Sequence, residues 1–243
     1  MKKPLFNASL MCMDLLHMKQ QFQILNNRID MYHVDIMDGH FAKNLTLSPG
    51  FVKTCSKVAT KPMECHLMVE HPGDYIEQLA EGGASFISCH AETINHEAFR
   101  LIDRIEGLGC GFGVVLNPAT PFSYAKHYMN HVKIITIMTV DVGFSGSRFV
   151  PEALEKIKEA AVFREKHNLD YIIQVDGACN EDNFKVMHEA GAEVYVMGNT
   201  GLFAKAPNLN DAFDIMIANF ENATNLIISE QQSKIGEKIR ERI

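Results

Sequence analysis

A chain of 243 residues with 47% hydrophobic and 22% charged side chains is long enough to bury one large core and is ordinary for a globular protein. Its formal charge of -7, with no run of Lys or Arg, argues against nucleic-acid and membrane-surface partners, because holding phosphates takes clustered cations. No stretch approaches the ~18 apolar residues of a membrane span, residues 1–7 carry too few apolar side chains for a signal peptide, and six cysteines without a CxxC pair read as buried reduced thiols, so a cytoplasmic protein is expected.

Eight short apolar runs follow one another along the chain: Leu5–Leu10, Met31–Met37, Met63–Val69, Phe86–His90, Gly111–Leu116, Ile134–Val140, Tyr171–Val175 and Val194–Met197. Segments of helical period lie between most of them, at Leu15–Leu25, Tyr75–Ala80, Phe99–Leu108, Leu154–His167 and Phe184–Ala190. Several stop at glycine, as at Gly82-Gly83, Gly109 and Gly191, the residue that ends helices most readily. Strands alternating with helices predict a parallel sheet. Closure into a single (β/α)8 TIM barrel over residues 1–228 is the natural reading, with an open doubly wound sheet as the alternative. Ser229–Ile243 is polar and of mixed charge, which predicts a solvated terminal helix or tail.

Barrel enzymes carry their chemistry at the carboxyl ends of the strands. In the second run His33 and Asp35 are two apart and share a face, with Met37, while Val34 and Ile36 take the other. In the third run the same parity turns His66 and Met68 inward. The seventh ends in Asp176-Gly177-Ala178, almost opposite runs two and three in a ring of eight. A buried His–Asp pair and a simple Asp-Gly turn are the bland accounts. Taken together, two imidazoles and two carboxylates make a plausible site for one divalent ion, Zn, Fe(II), Mn or Co rather than Ca. Asp35 and Asp176 would then flank whatever binds, one carboxylate to each face of a flat enediolate, which suits removal of a proton on one side and its return on the other. The loops after runs six, seven and eight (Gly143-Phe144-Ser145-Gly146, Gly177-Ala178 and Gly198-Asn199-Thr200) are glycine-rich and could wrap a phosphate with backbone N–H groups. Met37, Met68 and Met138 are either an apolar cap over the ion or plain packing.

Several collinear segments carry a resemblance: Val34–Phe41, His66-Leu67-Met68, Leu116–Pro121, Gly143–Gly146 and Val175-Asp176-Gly177. Together they resemble the ribulose-phosphate 3-epimerase family, over about residues 5–220. Ser9–Leu15, Asn44–Pro49, Glu92–Asn95 and Asp141 are similar, within it, to the D-allulose-6-phosphate 3-epimerases. The resemblance implies a metal-dependent ketose-phosphate 3-epimerase, interconverting D-allulose 6-phosphate and D-fructose 6-phosphate, with D-ribulose 5-phosphate and D-xylulose 5-phosphate as the alternative pair. It implies His33, Asp35, His66 and Asp176 as ligands of one divalent ion (Zn, Fe(II), Mn, Co or Mg) and Asp35 and Asp176 as the acid/base pair. It also implies substrate contacts from Ser9, His66, Met37, Met68 and Met138, phosphate contacts from the three glycine-rich loops, and a homo-oligomer. Val142, Ala178, Asn199 and Ala91 depart from the family pattern; none belongs to the metal set. A lyase on a similar barrel is disfavoured because Met37, not Lys, stands two after Asp35, and a non-catalytic sugar-phosphate sensor because all four metal positions are intact.

Overall fold

A computed structural model describes residues 3–228; the predicted tail 229–243 lies outside the described residues. Eight parallel strands run β1 (Leu5–Ser9), β2 (Met31–Met37), β3 (Met63–Met68), β4 (Phe86–His90), β5 (Gly111–Leu116), β6 (Ile134–Met138), β7 (Ile172–Asp176) and β8 (Val194–Met197). They neighbour one another in chain order, and β8 closes back on β1, with Leu5 opposite Val194 and Ala8 opposite Met197. The (β/α)8 barrel is therefore closed, and the open-sheet alternative falls. The expected strands are all present; four of them start or stop one or two residues from the sequence-based bounds: β1, β3 and β6 end earlier, and β7 is shifted by one residue so that it ends on Asp176.

Helices α1 (Met18–Leu25), α2 (Pro49–Cys55), α3 (Ile76–Glu81), α4 (Ala91–Ile94), α5 (Ala98–Gly107), α6 (Ala153–His167), α7 (Phe184–Ala190) and α8 (Leu209–Thr224) wrap the barrel. Local chemistry sets their ends. Ser48 caps α2 by accepting from Phe51 N–H, with Pro49 in the first turn. Asn168, at φ 51°, ends α6, and Gly191, at φ 110°, ends α7, both in the left-handed region. Between β5 and β6 there are only two short 3-10 turns, Phe122–Tyr124 and Lys126–Tyr128. Among the described residues no helix is long and apolar enough to cross a membrane.

Strand parity sorts the side chains into two cores. Outward residues such as Val34, Ile36, Cys65, Leu67, Val114 and Tyr195 join the helices in one large cluster, where Phe220 of α8 meets the Phe6 and Tyr195 rings edge-on at 5.1 and 4.9 Å. Inward residues stack in layers. Leu5, Met31, Phe86, Ile134, Ile172 and Val194 form an apolar plug at the amino end of the strands. Two residues further along, the interior turns polar: Asn7, His33, Glu64, Ser88, Thr136 and Gln174 are all fully buried. Glycine makes room in this layer, since a Cβ on Gly113 would sit 2.0 Å from Ser88 Oγ.

Candidate active site

The third layer, at the carboxyl ends, carries Ser9, Asp35, His66, His90, Met138 and Asp176. Register brings its members together: Asp35 pairs with His66 across β2 and β3, and Met138 with Asp176 across β6 and β7. His33, Asp35, His66 and Asp176 converge, one ligand atom from each lying within 4.8 Å of all the others. His33 Nε2 is 3.2 Å from Asp35 Oδ1, 3.4 Å from Asp176 Oδ2 and 3.3 Å from His66 Nδ1. His66 Nδ1 is 3.6 Å from Asp35 Oδ1 and 3.5 Å from Asp176 Oδ2. Ligand atoms ~2.0–2.1 Å from a tetrahedral ion stand about 3.3 Å apart, so this N2O2 set is already spaced to hold a small divalent cation.

Electrostatics point the same way. Burial opposes charge on every one of these groups, yet the carboxylates of Glu64, Asp35 and Asp176 push His33 well above its usual range, and Asp176 and Asp35 raise His66. The same imidazoles hold Asp35, Asp176 and Glu64 below the usual carboxylate range despite their burial. Three carboxylates buried together need positive charge beside them, which a divalent ion supplies more compactly than two protonated rings.

Several supporting residues are absent from the sequence-based set. Glu64 hydrogen-bonds His33 Nδ1, turning Nε2 toward the centre. Gln174 ties four strands: it accepts from Asn7 Nδ2 at 2.6 Å and donates to Glu64 Oε2 at 3.1 Å and Thr136 Oγ1 at 3.0 Å. The signal was present, since Glu64 lies two before His66 and Gln174 two before Asp176, on the same faces. Asp38 holds the loop after β2 by accepting from the N–H groups of His40, Phe41 and Glu70. Asn44 in that loop donates to the Gly143 carbonyl at 2.8 Å, latching it to the loop after β6.

Above these four residues lies a cleft enclosing about 590 Å³, part of it open to solvent. Its walls include Ser9, Asp35, Met37, Met68, Met138 and Asp176, and all nine residues of the three glycine-rich loops, Gly143, Phe144, Ser145, Gly146, Gly177, Ala178, Gly198, Asn199 and Thr200. His33 and His66 are fully buried beneath it and do not line it. Ser9 Oγ donates to Asp35 Oδ2 at 2.8 Å. Among the described residues no Lys or Arg lines the cleft. Gly177, at φ 110°, allows the loop after β7 to fold over Val140, whose Cγ2 a Cβ would approach to 2.4 Å. Ala178 takes the left-handed region as well, at φ 47°.

A closed barrel with polar groups gathered at the carboxyl ends of its strands is the architecture of a barrel enzyme. The Ribulose-phosphate 3 epimerase family model matches residues 5–203. A ribulose-phosphate 3-epimerase from Bacillus subtilis (strain 168) is 40% identical over 171 residues, covering 70% of this chain and 78% of the relative. One from Mycobacterium tuberculosis (strain ATCC 25618 / H37Rv) is 31% identical over 204 residues, covering 84% and 88%. The chain belongs to the ribulose-phosphate 3-epimerase family, and is thus an isomerase of sugar phosphates. Among solved structures, KGPDC from Streptococcus mutans superposes with a TM-score of 0.66 over 91% of this chain and 99% of that one, at 13% identity, a likeness of fold.

Proposed function

We propose that this protein is a divalent-metal-dependent ketose-phosphate 3-epimerase in which Asp35 and Asp176 handle the proton at C3 from opposite faces. The observation that carries the reading is the convergence of these two aspartates, from β2 and β7, with His33 and His66 at the floor of the cleft. Bound there, the ion would polarise the substrate carbonyl and stabilise the developing oxyanion by several kcal/mol, which a C–H beside a ketone needs before a carboxylate can remove its proton.

The chain's own residues do the rest. The imidazole neighbours favour the carboxylate form of Asp35 and of Asp176 against their burial, so whichever of the two lacks the proton can serve as the base in its direction of the reaction. The aspartate on one face, entering as the carboxylate, takes the C3 proton, and the partner across the site, entering as the carboxylic acid, gives its own proton to the other face of the flat enediolate; the pair ends with its protonation states exchanged and is reset by exchange with solvent. Ser9, by donating to Asp35 Oδ2, fixes the rotation of that carboxylate and leaves Oδ1 turned toward the histidines. Met37, Met68 and Met138 give the cleft an apolar ceiling beside the aspartates and limit water there. The phosphate would sit among residues 143–146, 177–178 and 198–200, held by backbone N–H groups, since among the described residues no cationic side chain lines the cleft.

Two substrates compete. The names of the relatives favour D-ribulose 5-phosphate, giving D-xylulose 5-phosphate. The segments similar to D-allulose-6-phosphate 3-epimerases favour the hexulose, and two of them bring Cys12 and Asp141 to the cleft wall. Initial rates on the two substrates side by side decide between them. In D2O the product should gain deuterium at C3; turnover without wash-in rules out the two-aspartate scheme. The same reading makes the protein a cytoplasmic homo-oligomer: six free cysteines, five of them buried, suit a reducing compartment, and light scattering tests the assembly.

A further inference from the structure

The two ring nitrogens of a histidine are distinct, and what one faces fixes the state of the other. His66 turns Nδ1 toward Asp35 and Asp176. A neutral imidazole that offers its Nδ1 lone pair to a cation carries its proton on Nε2. His66 Nε2 faces His90 Nε2 at 2.9 Å, so His66 donates and His90 accepts. A neutral His90 accepting at Nε2 has its own proton on Nδ1. That atom stands 3.3 Å from Glu92 Oε2. Both atoms are buried and neither completes a hydrogen bond with any described group, so the nearest unsatisfied counterpart of each, at that 3.3 Å, is the other.

Glu92 is held firmly. Its Oε1 accepts from the Asn117 N–H at 3.0 Å and from the Thr120 hydroxyl. Lys156 of α6, only 6% exposed, donates to the carbonyls of Asn117, Pro118 and Thr120 and pins the loop that supplies those donors.

We infer that His90 and Glu92 form a one-way hydrogen-bond relay that backs His66 with a carboxylate through a second imidazole, as Glu64 backs His33 directly. This rests on the reading of His33, Asp35, His66 and Asp176 as metal ligands and extends it: each ligand histidine has its own anion behind it. A carboxylate behind a ligand histidine fixes its tautomer and orientation and strengthens it as a donor. His90 and Glu92 line no part of the cleft, so they are positioning residues acting through His66. Without the anion, His90 is free to take the other tautomer, which would set two N–H groups head to head at 2.9 Å and displace His66.

The competing account is that Glu92 only anchors the loop after β5. Zinc affinity of the full chain, measured by competition with a chromophoric chelator, separates the two. The relay requires that Glu92→Gln weaken zinc by about tenfold or more, the usual loss when such a partner is removed. A loop anchor would leave zinc affinity within about twofold while lowering thermal stability, and that result overturns the relay. Long-range 15N–1H correlation spectra of the zinc-loaded wild type need no variant: His90 should carry its proton on Nδ1, and a proton on Nε2 overturns the relay outright. Wild-type protein that binds no zinc removes the metal reading itself, and the relay with it.

Discussion

The two ends of the barrel interior are built from the same strands and do opposite things. Along β2 the inward residues read Met31, His33, Asp35; along β4, Phe86, Ser88, His90; along β7, Ile172, Gln174, Asp176. Each strand passes from an apolar side chain to a polar group and then to a residue of the candidate site or its support, at positions two apart. The apolar end stabilises simply by leaving water, at roughly 1.5–3 kcal/mol for each large side chain. The polar end gathers charges that are costly to bury and are tolerable only because each has a partner: Glu64 for His33, Gln174 for Glu64, Asn7 for Gln174. Stability and chemistry are thus segregated along the barrel axis.

That division can be broken most severely at the carboxyl end. Asp176→Asn should lower turnover by about 10³-fold or more, because it removes both a base and a ligand, while the thermal midpoint moves little. Steady-state rates with a parallel melting curve check this, and an active Asp176→Asn enzyme would end the proposed mechanism. Stripping the ion with a strong chelator should inactivate the wild type, and restoring zinc should revive it. At the other end, Ile134→Ala should cost about 2–5 kcal/mol in urea unfolding and leave kcat/KM near the wild-type value. If Ile134→Ala also lost its metal, the two ends would not be separate.

Acid offers a finer probe. Burial favours the neutral form of Glu92, but the His90 ring and the Thr120 hydroxyl outweigh it and bring the carboxyl down to about 2. A carboxyl with a lower value folded than unfolded adds stability above its ordinary value of 4.5, and that stability drains away as pH falls toward 2. In metal-free protein this amounts to at most about 3 kcal/mol, and Glu92→Gln should flatten that limb of the stability–pH curve. An unchanged limb would mean that Glu92 is not so held.

Much of this was legible in the sequence because period two is unforgiving: one inward His at position 33 fixes Asp35 and Met37 as inward too. Helices announced themselves by spacing and by terminal glycines. Glu64 and Gln174 obey the same parity but sit at or before mid-strand, where a polar residue reads as an edge rather than as the hidden support of a ligand. His90 and Glu92 could not be read as a pair with a role, since the partners of Glu92, Asn117 and Thr120, come from the loop after β5, pinned in turn by Lys156 of α6, and meet it only in the closed ring. The substrate is harder still, because the cleft wall is loop, and loops follow no period.

The smallest expected effect falls on Ala178. A left-handed backbone costs an alanine roughly 1–2 kcal/mol, so Ala178→Gly should stabilise the protein by up to about 1 kcal/mol once glycine's extra freedom in the unfolded chain is subtracted. KM for the sugar phosphate should rise, as a more pliant turn presents its amides less sharply. An alanine bent against its preference at φ 47° works like a drawn spring: the turn has almost no other shape available to it, so the wall of the cleft meets its guest already formed. Rigidity at that corner is bought with a little wasted stability, and a glycine there would return the stability and surrender the stiffness.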